Sequence, residues 1–138
     1  MTIYLADDDE DDRIMIRQAI QAQISDAEII EAVDGQDLVD RITAPHAHKP
    51  AIILTDMNMP RMNGLEAVKL IKASPLFKKI PVLMISTSSD PQMIREAYKR
   101  GITNYFTKPV IIEGFLKIAD AINGCFNVLA SKEKLQSV

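Results

Sequence analysis

Five short apolar runs punctuate the chain, and between them apolar residues recur at helical spacing. The runs predict strands near 2–6, 27–32, 50–56, 80–86 and 103–106. Three of them are continuously apolar, as expected of strands covered on both faces by helices. Helices are predicted over about 10–23, 35–43 and 64–73, the last ended by Ser74-Pro75. The first carries Ile16, Ala19, Ile20 and Ile24 as its buried stripe. Its acidic first turn suits the positive end of the helix dipole. A fourth helix takes Asp90 as N-cap and Pro91 as its first residue, and stops at Gly101, a natural residue just past a helix end. A fifth begins after Pro109 and places Ile112, Phe115, Leu116, Ala119, Ile122, Phe126 and Leu129 on a stripe read as core packing. Gly114 and Gly124 inside it each weaken the helix by about 1 kcal/mol relative to Ala. Strands alternating with helices argue for βα units, an α/β fold built on a parallel sheet.

The 138 residues fit one domain with a real core. Residues 1–130 are assigned to it, and 131–138 to a polar C-terminal tail that frays. A net charge of −3 gives no global attraction to nucleic acid or anionic membrane. No apolar stretch approaches the roughly 18 residues of a membrane span, and a strand followed by acids is the opposite of a signal peptide. Cys125 is the only cysteine, so no internal disulfide can form. The expectation is a cytoplasmic protein without membrane insertion or direct nucleic-acid binding.

Chemistry-bearing residues sit just after four of the runs. Asp7 and Asp8 follow Ile3-Tyr4-Leu5-Ala6, and Asp56 follows Ala51-Ile52-Ile53-Leu54-Thr55. Ser86 closes Ile80-Pro81-Val82-Leu83-Met84-Ile85, and Lys108-Pro109 follow Asn104-Tyr105-Phe106-Thr107. In neighbouring parallel strands all four meet at the carboxyl edge of the sheet, where open α/β sheets bind ligands. A carboxylate is a poor nucleophile toward a phosphoryl group unless charge is neutralised as the bond forms. Mg²⁺, a hard cation with oxygen ligands, meets that demand, and Asp8 and Asp56 can supply carboxylates to it. Asp7 can hold a metal-bound water, Lys108 can cover a phosphoryl oxygen, and Ser86 can donate a hydrogen bond to the product. Crowding these carboxylates should raise at least one pKa or leave the site strained without metal.

In this order on this strand pattern, these residues resemble the receiver domain of two-component response regulators. The resemblance spans nearly the whole chain, through Asp7-Asp8, Leu54-Thr55-Asp56-Met57-Asn58-Met59-Pro60, Asn63-Gly64, Pro81 to Ser86, and Tyr105-Phe106-Thr107-Lys108-Pro109. It implies a flavodoxin-like (βα)5 doubly wound sandwich with strand order 2-1-3-4-5, the order of a chemotaxis member of the family. It implies Asp56 as phosphoacceptor, with Mg²⁺ held by Asp8, Asp56 and the main-chain carbonyl of Asn58, and by Asp7 through water. Lys108 would contact the phosphoryl group, across a cis Lys108-Pro109 bond. Ser86 would turn inward on phosphorylation and Tyr105 would follow, reshaping the face of the fourth helix, fifth strand and fifth helix. The phosphoryl group would come from a histidine kinase or phosphotransfer protein, and output would run through an unidentified protein target. Receivers of this kind are monomers or homodimers through that face. Thr87 stands where the family often has Ala or Gly, which narrows access. Asn58 and Ser88 stand at positions that in this family tune dephosphorylation, so the resemblance implies that they set the lifetime of the phosphoryl group.

Other readings of the same residues stand beside these. Residues 7–12 form an unbroken acidic run, so Asp9 rivals Asp7 and Asp8 as ligand, and Asp9 to Asp12 read equally as a solvated helix start. Asp56 could instead be a loop carboxylate capping the third helix. Met57, Met59 and Met62 read as packing. His46 and His48 read as exposed loop. Arg95, Tyr98, Lys99 and Arg100 read as a partner patch or as the wet side of the fourth helix. A receiver cut from a longer regulator fits the same residues. A magnesium-dependent phosphohydrolase would need a second acid beside the nucleophile, where Met57 and Asn58 stand, and a cap. A flavin site after the first strand is disfavoured by six acids that would repel its phosphate.

Overall fold

The computed structural model describes residues 1–136, with side chains through Cys125 and at Asn127. Its elements are β1 (Thr2–Ala6), α1 (Glu10–Gln23), β2 (Glu28–Ala32), α2 (Gly35–Thr43) and β3 (Ile52–Asp56). They continue with α3 (Gly64–Ala73), β4 (Val82–Ser86), α4 (Pro91–Lys99), β5 (Asn104–Thr107) and α5 (Ile112–Gln136). The strands form one parallel sheet in the order β2-β1-β3-β4-β5, the flavodoxin-like arrangement. β3 and β4 begin two residues later than their apolar runs, because Pro50 and Pro81 lack the N–H that a ladder needs. β5 is shifted one residue, to end at Thr107.

Alternation along each strand divides the core between the two faces of the sheet. Ile3, Leu5, Leu54, Leu83 and Ile85 pack with Ile16, Ala19 and Ile20 of α1 and with Phe115, Ile118, Ala119 and Ile122 of α5. Tyr4, Ala6, Ile53, Val82 and Met84 pack on the other side, with Leu38, Ala67, Val68, Ile71 and Ala97 from α2, α3 and α4. Each fully buried Leu or Ile contributes about 1.5–3 kcal/mol. Met57 and Met59 are buried and Met62 packs beside them.

Caps set the helix ends where the sequence placed them. Asp90 accepts from Gln92 N–H with Pro91 behind it, and Gly101 takes φ 109° one residue beyond the Arg100 C-cap. The fifth helix departs from expectation. Ile112 and Leu116 are exposed, at 46% and 37%, because α1 contacts the face one step round the helix, where Ile118 takes their place. Phe126 and Leu129 lie outside the described side chains. The helix also runs to Gln136, where a fraying tail from 131 was expected. No Gly or Pro follows Gly124, and Lys, Glu, Leu and Gln favour continuation.

The chain leaves the functional edge of β3 through a tight loop, residues 57–63, closed by Gly64 N–H donating to Met57 O at 2.8 Å. A Cβ on Gly64 would sit 2.1 Å from the carbonyl oxygen of Asp56. Gly64→Ala therefore forces this loop off the strand, and urea unfolding should show a loss of about 1–3 kcal/mol, the cost of overpacking a rigid site.

Candidate functional site

The strand register decides what meets at the carboxyl edge. Ala6 pairs with Thr55, Asp56 with Ile85, and Ser86 with Thr107, so the residues just past each strand end form one crevice. It opens where β1 and β3 lie side by side, the point at which the strand order reverses.

Asp7, Asp8 and Asp56 each bring a carboxylate oxygen there, all within 4.8 Å of one another. Asp7 and Asp56 are buried and Asp8 is exposed. Asp9 is not part of the cluster. It is the α1 N-cap, and its side chain accepts from Asp12 N–H at 3.1 Å, while its own N–H donates to Asp7 Oδ1 at 2.9 Å. Within the acidic run, Asp9 caps the helix while Asp7 and Asp8 lie with Asp56.

Lys108 crosses the crevice from β5. Its Nζ lies 3.0 Å from Asp7 Oδ2, 2.8 Å from Asp12 Oδ2 and 3.1 Å from Asp56 Oδ2. Burial works against its charge, but the carboxylates of Asp12, Asp7 and Asp56 outweigh it and raise the pKa. By sequence Asp12 is one of four acids compatible with a solvated helix start, yet it pairs with Lys108. Capping by Asp9 fixes it at the third helical position, which turns it back over the strand ends. The signal was the cap spacing within the acidic run.

The Lys108-Pro109 bond is trans, as is every described peptide bond, contrary to the cis geometry the resemblance implied. Trans is the form an X-Pro amide prefers by about 0.5–1 kcal/mol, and in it Lys108 already reaches all three acids.

One ammonium cannot neutralise three acids. Burial first, then the nearby Asp56 charge, push Asp7 up from 3.8 to about 6, against the opposing hydrogen bonds from Asp9 and Lys108. Burial also raises Asp56, with Lys108 pulling the other way. A folded carboxyl with a raised pKa holds its proton more tightly than the unfolded chain does, so its contribution is lost as pH rises through the folded value. Without divalent cation, Asp7→Asn should be more stable than wild type at pH 7.5 by roughly 2–3 kcal/mol. The difference should close as pH falls below about 4, where the wild-type carboxyl is protonated in both states. Urea titrations at several pH values test this, and a gap independent of pH would remove Asp7 as its source.

Ser86 is buried, and its Oγ accepts from Ser88 N–H at 3.2 Å and from Asn58 Nδ2 at 3.4 Å. Asn58 N–H donates to Asp56 Oδ1 at 3.4 Å. Thr87 is exposed beside them. Tyr105 is half-buried against the core, and its hydroxyl donates to Ser88 O at 2.5 Å. Ser88 thus joins Ser86 to Tyr105. On α4, Arg95, Tyr98 and Lys99 are exposed, but Arg100 is committed to Glu96 and to the carbonyl of Leu65. His46 and His48 are exposed, His48 pairing with Glu28. Val110, Ile111 and Ile112 lie exposed just past the crevice.

Residues 3–120 match the response regulator receiver domain. The chain belongs to this family. A receiver domain of this sequence is 33% identical over 109 residues to the chemotaxis protein CheY1 of Helicobacter pylori, covering 79% of this chain and 86% of that protein. Its fold superposes on the phosphorylated cyanobacterial phytochrome response regulator RcpA with TM-score 0.81 and 28% identity, covering 88% of this chain and 89% of that one. The Mn²⁺-bound form of response regulator Rcp1 gives 0.80 and 26%, with 88% and 90% covered. The receiver is thus a CheY-like signalling domain with an acidic pocket of the kind that holds a divalent cation. Among the described residues no helix is long and apolar enough to cross a membrane.

Proposed function

We propose that this receiver takes a phosphoryl group on Asp56 from a histidine kinase or a histidine phosphotransfer protein, with Mg²⁺ as cofactor. The observation that carries the reading is the convergence on one buried carboxylate of two further acids and an ammonium, Lys108 Nζ lying 3.1 Å from Asp56 Oδ2. All-oxygen donors of high negative charge suit a hard divalent cation. Asp8, Asp56 and the Asn58 carbonyl would hold it directly, and Asp7 through water. When bound, the ion supplies positive charge that offsets repulsion between these acids and an anionic phosphoryl group.

An Asp56 oxygen would bond to phosphorus as the bond from phosphorus to the donor imidazole nitrogen breaks. Lys108 stands ready to pair with a phosphoryl oxygen in place of a carboxylate. The Ser86 hydroxyl accepts two hydrogen bonds and keeps its own proton for donation to the new group. Drawing Ser86 inward would pull on Ser88 and loosen the Tyr105 contact. That chain supports a population shift of the face made by α4, β5 and α5, through which a protein target would be bound. Homodimer formation through the same face belongs to this reading.

Intact-mass spectrometry after incubation with acetyl phosphate and Mg²⁺ tests the reading. One added phosphoryl group, absent with a chelator, is expected. Catalytic consumption of excess acetyl phosphate at ordinary enzyme rates would overturn it in favour of a hydrolase.

A further inference from the structure

The loop that follows Asp56 is held from outside by a neighbouring element. Asp34 is 4% exposed and caps α2, its Oδ1 accepting from Asp37 N–H at 2.8 Å. The same carboxylate receives the guanidinium fork of Arg61, Nε at 2.7 Å from Oδ2 and Nη2 at 3.2 Å from Oδ1. Arg61 takes φ 64°, a left-handed conformation uncommon for a residue with a side chain. Next to the pair, Gly35 N–H donates to Met62 O at 2.9 Å, and a Cβ on Gly35 would lie 2.3 Å from that oxygen. Two residues back from Asp34, Ala32 O accepts from Asp7 N–H at 3.1 Å. One short segment, 32–35, therefore holds both the Asp7 backbone and the tip of the 57–63 loop.

We propose that the Arg61–Asp34 ion pair is a positioning brace, which fixes the 57–63 loop against the β2–α2 junction and so sets the spacing between the Asn58 carbonyl and the Asp7, Asp8 and Asp56 carboxylates. The proposal rests on the phosphoacceptor reading, since it assigns those groups to the cation. The loop's base is closed by Gly64 on Met57, and its far end is held by side-chain contact through this pair. A left-handed residue is retained where surrounding contacts over-determine it; here a turn closed by Met62 N–H donating to Pro60 O at 2.7 Å and the bidentate fork together do so. Arg61 touches neither cation nor substrate in this role. It acts through the backbone of its loop, as residues that orient metal ligands do.

Three variants separate the brace from ordinary structural support. Arg61→Gly accepts the same backbone conformation and removes only the fork. Asp34→Asn keeps a competent N-cap and removes the charge. Arg61→Lys keeps a charge and loses the bidentate geometry. Cation affinity is read directly by titrating Mn²⁺ and following the free aqua ion by electron paramagnetic resonance. Arg61→Gly and Asp34→Asn should each weaken Mn²⁺ by about tenfold, the low end for residues that orient metal ligands. The double variant should be no weaker than either single one, because the two residues act as one unit. Arg61→Lys should recover part of the loss. Wild-type affinity in both single variants would overturn the brace, with or without a lowered Tm, and so would losses that simply add. Failure of the phosphoacceptor reading looks different: wild type would bind Mn²⁺ and gain no phosphoryl group.

Discussion

Asp56→Asn should abolish uptake of the phosphoryl group while leaving the metal-free fold at least as stable as wild type. The first half follows from chemistry. An amide of the same shape has no anionic oxygen to attack phosphorus, and Asp7 and Asp8 reach the crevice from the end of β1, not from the end of β3. The second half follows from electrostatics. Burial raises the Asp56 pKa despite Lys108, so its ionised form is a net cost to the folded state at neutral pH. A neutral side chain removes that cost. Intact mass and thermal unfolding on the same sample read both. A modified Asp56→Asn protein would move the acceptor to another acid, whereas a large loss of metal-free stability would contradict the burial argument.

Lys108→Met gives the opposite stability change. Among the described residues, Lys108 is the cation paired with the carboxylates of both Asp7 and Asp56, whose side chains are 2% and 6% exposed. Removing one partner of a buried ion pair costs about 3–5 kcal/mol, because the charge left behind is uncompensated. Methionine keeps most of the stem, so packing changes little. At pH 7.5 without metal the variant should lose about 3 kcal/mol in urea unfolding, and less at pH 5, where Asp7 takes up a proton. Mg²⁺ should then stabilise the variant more than it stabilises wild type, since it substitutes for the lost cation. With saturating metal, phosphoryl uptake should slow by about 10²-fold, the loss expected when one donor at a reacting centre is deleted. Unchanged stability without metal would show that the acids are relieved by solvent and not by Lys108.

The architecture was legible because its signals are local. Apolar runs closed by polar residues marked all five strands, and Asp9, Asp34, Asn63 and Asp90 cap helices that begin where spacing predicted. Convergence of Asp7, Asp8, Asp56, Ser86 and Lys108 followed from the parallel order alone. Features that depend on which neighbour wins were not legible. A helical stripe containing Ile112 and Leu116 is as regular as one containing Ile118, and only contact with α1 chooses between them. Asp12 looks like any acid in a helix's first turn until its cap fixes its direction. The left-handed backbone at Arg61 belongs to a three-residue turn in which Met62 N–H donates to Pro60 O at 2.7 Å, and what no local pattern marks is its partner: Asp34, 27 residues away, receives its fork.

The two outer strands carry one more consequence. β5 borders the sheet, and there the Tyr98 hydroxyl accepts from Tyr105 N–H at 3.0 Å while donating to Asn104 Oδ1 at 3.2 Å. At the opposite border β2 carries Glu28 and Glu31, the latter gripped by Arg13 and Arg17. A capped amide on one rim and bound acids on the other leave poor templates for an incoming strand. An incoming strand thus finds one amide fewer to pair with on β5 and charged side chains along β2, which makes strand-to-strand stacking of crowded copies less favourable.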